Sequence, residues 1–129
     1  MVNIPIHKIP SVLLIEDEEE HIDLYKGYLE HAGFRVFAER EGRGGIERAK
    51  RERPGVIILD LRLPGLHGTD VLKILKETPE TKDIPVIVLT NMTYDGDEAL
   101  VKSLGAREIY VKARTVPRDI AEAVKKYIK

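Results

Sequence analysis

Cysteine is absent from the 129 residues. That excludes disulfides, thiolate zinc sites and cysteine nucleophiles together, and it suits the cytosol without requiring it. An excess of one charge is lacking too: 21 Lys and Arg stand against 22 Asp and Glu, which offers nothing to a nucleic-acid or polyanion partner. No apolar run approaches the ~20 residues that span a bilayer. Met1 to Pro10 interleaves isoleucine with proline and histidine rather than building a signal-peptide core. A cytoplasmic protein with no nucleic-acid and no membrane partner is expected. The length is that of a single domain, so one core and one main site are sought.

What the chain does contain is a recurring short apolar run. "VLLI" at 12–15, "FRVF" at 34–37, "VIIL" at 56–59, "VIVL" at 86–89 and "IYV" at 109–111 are strand-length and rich in β-branched residues. Three of them are apolar throughout, as strands covered on both faces must be; the second and fifth have charged neighbours and read as edges. Helical stripes lie between and after them: Ile22, Tyr25 and Leu29; Val71, Leu72 and Leu75; Leu100, Val101 and Leu104; Ile120, Val124 and Ile128. Ile46 and Ala49 support a shorter, weaker helix. Gly33 and Gly105 stand where helix C-terminal caps are expected. Strict alternation of strand and helix predicts an α/β fold, a parallel five-stranded sheet between two helical layers, with its site beyond the carboxyl ends of the strands. Residues 1–11 read as an N-terminal extension, packed along an edge through Ile4, Ile6 and Ile9 or left as a tail, and 12–129 as the domain.

The strand ends carry the chemistry. "VLLIEDEEE" places Glu16 and Asp17 after the first strand, and "VIILDLRLPG" ends the third on Asp60. If those strands are neighbours, three carboxylates crowd together, and a cation or a proton must relieve them. An all-oxygen cluster suits Mg²⁺; the four histidines, His7, His21, His31 and His67, show no paired spacing that argues for another metal. "VIVLT" brings Thr90 and "IYVK" brings Lys112 to the same rim, a hydroxyl and an ammonium suited to a phosphoryl group. A carboxylate so placed can attack phosphorus in line and form an acyl phosphate. Each feature has an ordinary reading: "EDEEE" as a solvated helix start, "RAKRERP" as the wet end of the second helix, His67 as an exposed turn residue, and Tyr25 and Tyr28 as packing residues on the sheet or its rim.

Taken in order, "IED", "ILDLRLPGLHG", "VLT" and "GAREIYVK" resemble the response regulator receiver domain of two-component signalling, over about Val12 to Ile128. The resemblance implies a flavodoxin-like (βα)5 three-layer sandwich with strand order 2-1-3-4-5. It implies Asp60 as phosphoacceptor and Thr90 and Lys112 on the phosphoryl oxygens. Mg²⁺ would be held by Asp17, Asp60, the backbone carbonyl of Arg62 and, through a water, Glu16; Pro64 and Gly65 would shape the loop. The implied phosphodonor is a histidine kinase or a histidine phosphotransfer protein. The output would be a changed affinity for a downstream protein target, by a stand-alone domain acting as monomer or weak homodimer. Such a chain catalyses only its own phosphorylation and slow dephosphorylation.

Several positions depart from that pattern. Ile109 stands where the family usually carries an aromatic residue three before the lysine, and alternation sends Tyr110 to the other face, which puts aromatic switching in question. Ala113 replaces the proline that normally follows the lysine, so a trans bond and a rearranged loop are expected. Asn91 replaces a small residue after Thr90 and would narrow the phosphoryl entrance. Neither Arg62 nor Met92 supplies a water-orienting acid or amide, which predicts slow loss of the phosphoryl group. The competing readings are a receiver-like binding scaffold that is not phosphorylated, a small phosphohydrolase, and an engineered chain that keeps only the fold.

Overall fold

Consecutive strand residues point to opposite faces of a sheet, so an all-apolar strand needs cover on both sides. In the computed structural model, which describes residue 5, residues 9–91 and residues 95–128, with backbone alone at 95–97, that cover is supplied by helices. The order is β1 (Ser11–Ile15), α1 (Glu19–His31), β2 (Arg35–Glu39), α2 (Gly42–Glu52), β3 (Val56–Asp60), α3 (Gly68–Glu77), β4 (Val86–Thr90), α4 (Asp95–Ser103), β5 (Glu108–Val111) and α5 (Pro117–Tyr127). A 3-10 turn, Lys112–Arg114, links β5 to α5. All strands pair in parallel in the order β2-β1-β3-β4-β5, as expected for a flavodoxin-like sandwich.

The core divides by strand parity. Val12, Leu14, Val56, Ile58, Ile87 and Leu89 pack with Ile22, Tyr25 and Leu29 of α1 and with Ile120 and Val124 of α5. Leu13, Ile15, Ile57, Leu59, Val86 and Val88 face the other way, onto Ile46 and Ala49 of α2, Val71, Leu72 and Leu75 of α3, and Val101 of α4. Burying each such side chain stabilises the fold by roughly 1.5–3 kcal/mol. The half-buried β2 and β5 are the sheet edges, as their charged neighbours suggested.

Some local expectations shift. β2 begins at Arg35; Phe34 is buried just before it and its amide bonds the Leu29 carbonyl, closing the turn after α1. α2 has 11 residues against 10 in α3 and 9 in α4, so it is not the short helix that its two apolar residues suggested. Leu100 is 50% exposed and leaves Val101 to anchor α4, Tyr28 is 44% exposed on α1, and Ile128 lies one residue past α5. Gly33 and Gly105 do end their helices with positive φ; α2 ends instead on Arg53 at φ 45. Ile9 is half-buried, Arg35 N donates to the Pro10 carbonyl, and Ile4, Ile6 and Met92 lie outside the described residues.

Candidate functional site

Register brings the acids together. Ile15 pairs with Leu59, so the next residues, Glu16 and Asp60, fall side by side at the carboxyl end of the sheet. By parity both extend the face that carries Leu14 and Ile58. Tyr110 lies on that same face in β5, and Lys112 follows it two residues later. Strand parity together with this register therefore directs two carboxylates and one ammonium to a common point.

The side chains meet there. Lys112 Nζ donates to Glu16 Oε1 at 2.6 Å and to Asp60 Oδ2 at 2.7 Å. Glu16 is fully buried, Asp60 is 2% exposed, and the lysine side chain is itself 7% exposed. The Glu18 amide caps Glu16 Oε2 at 3.1 Å, and the Arg62 amide caps Asp60 Oδ1 at 2.9 Å. Burial pushes the Glu16 carboxyl above its ordinary pKa, and neighbouring Asp60 adds to this against the pull of Lys112. For Lys112 burial works to lower the pKa, but the bonds from Asp60 and Glu16 outweigh it and the ammonium is held above its usual range.

Glu16, Asp17 and Asp60 each offer an oxygen within 4.8 Å of the others. Three hard oxygen donors, partly balanced by one ammonium, fit a hard divalent cation by charge and by donor type. Arg62 is exposed and enters the site through its backbone; its carbonyl belongs to the same short loop. Thr90 closes β4, 5% exposed and paired with Val111, one strand beyond Asp60. Asn91 follows it on the surface. Gly68, the first residue of α3, lies so close to the end of β3 that an added Cβ would sit 2.4 Å from Leu61 Cα and 2.9 Å from the Asp60 carbonyl oxygen. Only glycine fits there.

The departures also have structural counterparts. Ile109 packs toward the α3 and α4 side and Tyr110 toward α5, the opposite faces that alternation requires. No cis peptide occurs among the described residues, and Lys112 to Arg114 form the 3-10 turn in place of a proline-directed loop. His67 is the exposed N-cap of α3, accepting from the Thr69 amide at 3.1 Å, and takes no part in the acid cluster.

Two residues escaped the sequence reading. His21 Nδ1 lies 3.3 Å from Lys112 Nζ and 3.4 Å from Glu16 Oε1. Arg40 donates through Nε at 3.2 Å and through its terminal nitrogen at 2.9 Å to the Asp17 carbonyl, clamping the acidic loop from the end of β2. The available signals were spacing, four residues from Asp17 to His21, and the adjacency of β1 and β2.

Comparison with known proteins agrees with this geometry. Residues 12–125 match the family described as "Response regulator receiver domain". The chain belongs to that family. Among its relatives, the polar-differentiation response regulator DivK of Brucella anthropi is 34% identical over 118 residues, covering 92% of this chain and 95% of DivK. The BeF3-activated N-terminal receiver domain of Klebsiella pneumoniae RstA superposes with a TM-score of 0.83 at 25% identity, covering 92% of this chain and 98% of that one. The Mn²⁺-bound form of the response regulator Rcp1 does so with a TM-score of 0.77 at 27% identity, covering 91% and 90%. Within this receiver, no helix among the described residues is long and apolar enough to cross a membrane.

Proposed function

We propose that the receiver accepts a phosphoryl group on Asp60 from a phosphohistidine of a histidine kinase or phosphotransfer protein, and that the modified form binds a downstream protein target differently. The observation that carries this is the pair of short bonds from one buried lysine to Glu16 and Asp60, 2.6 and 2.7 Å, at the rim where three carboxylates meet. A buried ammonium held by two acids is poised to follow negative charge as it appears on an incoming group.

In the transfer, an Asp60 carboxylate oxygen attacks phosphorus as the P–N bond of the donor breaks, and the imidazole leaves as the P–O bond forms. Lys112 moves from carboxylate to phosphoryl oxygen, and the Thr90 hydroxyl donates to another. Glu16, Asp17, Asp60 and the Arg62 carbonyl would hold Mg²⁺, as the Mn²⁺-bound form of Rcp1 suggests for a related receiver. An ion held there would supply neutralisation of the negative charge on the phosphoryl oxygens. The BeF3-activated state of the RstA receiver supports an acyl-phosphate on-state in this fold.

Movement of Thr90 would couple the modified aspartate to the segment after β4 and to α4. The exposed Arg62 supplies no acid or amide to orient a hydrolytic water, which supports slow dephosphorylation. We place this activity in the cytoplasm, in a monomer or weak homodimer, with the extension expected at residues 1–11 giving way to the receiver domain at Ser11, the first residue of β1. Incubation with Mg²⁺ and a small phosphodonor, followed by intact-mass measurement, tests the reading. Wild type gains one phosphoryl group and Asp60→Asn gains none; labelling of neither favours the unphosphorylated scaffold, and equal labelling of both refutes Asp60 as the acceptor.

A further inference from the structure

An ammonium has three N–H donors and no acceptor. Around Lys112 Nζ there are three acceptors: Glu16 Oε1, Asp60 Oδ2 and, at 3.3 Å, His21 Nδ1. Two are carboxylates that a divalent cation would engage. The third is a ring nitrogen delivered by the first turn of α1, which accepts from the ammonium in the tautomer that carries the ring proton on Nε2. The ring is held in place: buried Tyr25, one turn on, meets it edge-on with centroids 6.4 Å apart and planes at 66°. His21 is about a third exposed, so it forms the rim while Lys112 lies beneath.

The chemistry of phosphoryl acceptance does not by itself ask for a histidine here. A carboxylate at this point would add to the repulsion among Glu16, Asp17 and Asp60, and an apolar side chain would leave one N–H of a largely buried ammonium unpaired. A ring nitrogen that accepts the third N–H avoids both. The same ring has the placement of a ligand for a second cation, because its nitrogen, a Glu16 oxygen and a Glu18 oxygen lie within 4.8 Å of one another. The Lys112 ammonium 3.3 Å from that nitrogen opposes a second positive charge there.

We propose that His21 is a positioning residue for Lys112: its Nδ1 retains the ammonium at the rim while Glu16 and Asp60 turn their charge to a divalent cation and then to the incoming phosphoryl group. This rests on the phosphoacceptor reading of Asp60 and deepens it. Lysine has a long, many-rotamer stem, and once its two carboxylate partners are engaged elsewhere, the neutral acceptor is what limits its excursion into solvent.

The test follows the Lys112 ammonium by NMR in wild type, His21→Ala and His21→Asn, each without divalent cation and with saturating Mg²⁺. Exchange of its hydrogens with water is expected to accelerate about tenfold in His21→Ala, the loss expected for one charged hydrogen bond, and to stay within about threefold of wild type in His21→Asn, whose amide oxygen restores an acceptor. In parallel, Mg²⁺ affinity read from backbone amide shifts should stay within about twofold in both variants, while the rate of Asp60 labelling at saturating Mg²⁺ falls about tenfold in His21→Ala and recovers in His21→Asn. Unchanged exchange in His21→Ala overturns the proposal, and so do equal losses in the two variants. Failure of wild type to take up label refutes the phosphoacceptor reading instead, and the exchange measurement still decides the Lys112 contact on its own.

Discussion

Lys112 is the residue on which the site's electrostatics turn. Its ammonium lies between Glu16 and Asp60, both almost wholly out of water, and breaking a buried pair by removing one partner costs about 3–5 kcal/mol. Lys112→Met should therefore lower the unfolding free energy by about 3 kcal/mol in divalent-free buffer, measured by urea denaturation, and added Mg²⁺ should restore much of it. A loss below about 1 kcal/mol would show that proton uptake by the raised Glu16 carboxyl already relieves the cluster. At this scale much could be read beforehand. An aspartate ending an apolar strand, a neighbouring acidic strand end and a lysine two residues beyond Tyr110 needed only strand parity to bring them together. His21 and Arg40 were hidden because their contacts depend on the phase of a helix and the path of a loop, which spacing leaves open.

Among the elements, β5 and α5 are joined by a polar staple. Glu108 accepts from the Tyr110 hydroxyl at 2.6 Å, from Lys126 at 3.3 Å and from the Tyr127 hydroxyl, while the Arg107 guanidinium lies 5.6 Å from the Tyr127 ring centroid. Burial tends to raise the Glu108 pKa, but these donors prevail and hold it below the ordinary range; both phenols are raised, first by burial and then by the carboxylate. A depressed carboxyl pKa means stability that is complete above the unfolded value, about 4.3, and lost as pH falls through the lower folded value. Wild type should exceed Glu108→Gln in stability by about 1 kcal/mol at pH 7, and the gap should begin to shrink below about pH 4.3 and disappear once the pH is below the depressed folded value. Urea midpoints followed from pH 7 into that acid range check this; a gap that persists to its end would remove the charge from the explanation. The existence and order of strands and helices were plain from apolar periodicity, whereas their limits were not. Leu100 matches the apolar pattern and Tyr28 reads as a packing residue, yet both remain exposed, because a stripe specifies a face but not how far the sheet reaches beneath it.

The whole molecule gathers its buried charge at one rim. Five parallel strands with the order reversing at β1 and β3 place their carboxyl ends, and hence Glu16, Asp60, Thr90 and Lys112, on the same edge, while two apolar layers fix their separation. The architecture was predictable because every right-handed crossover follows from the alternation of strand and helix. What remained out of reach was the distance between side chains at that rim, which depends on register to a single residue. A cation that binds only where Glu16, Asp17 and Asp60 converge must stabilise the folded chain, by about 2.7 kcal/mol at a concentration 100 times its dissociation constant. Equilibrium unfolding across a Mg²⁺ titration, in wild type and in Asp17→Asn, measures this directly: wild type should gain that stability and the variant little of it, whereas no gain in wild type, or the same gain in both, would contradict a metal site at these strand ends.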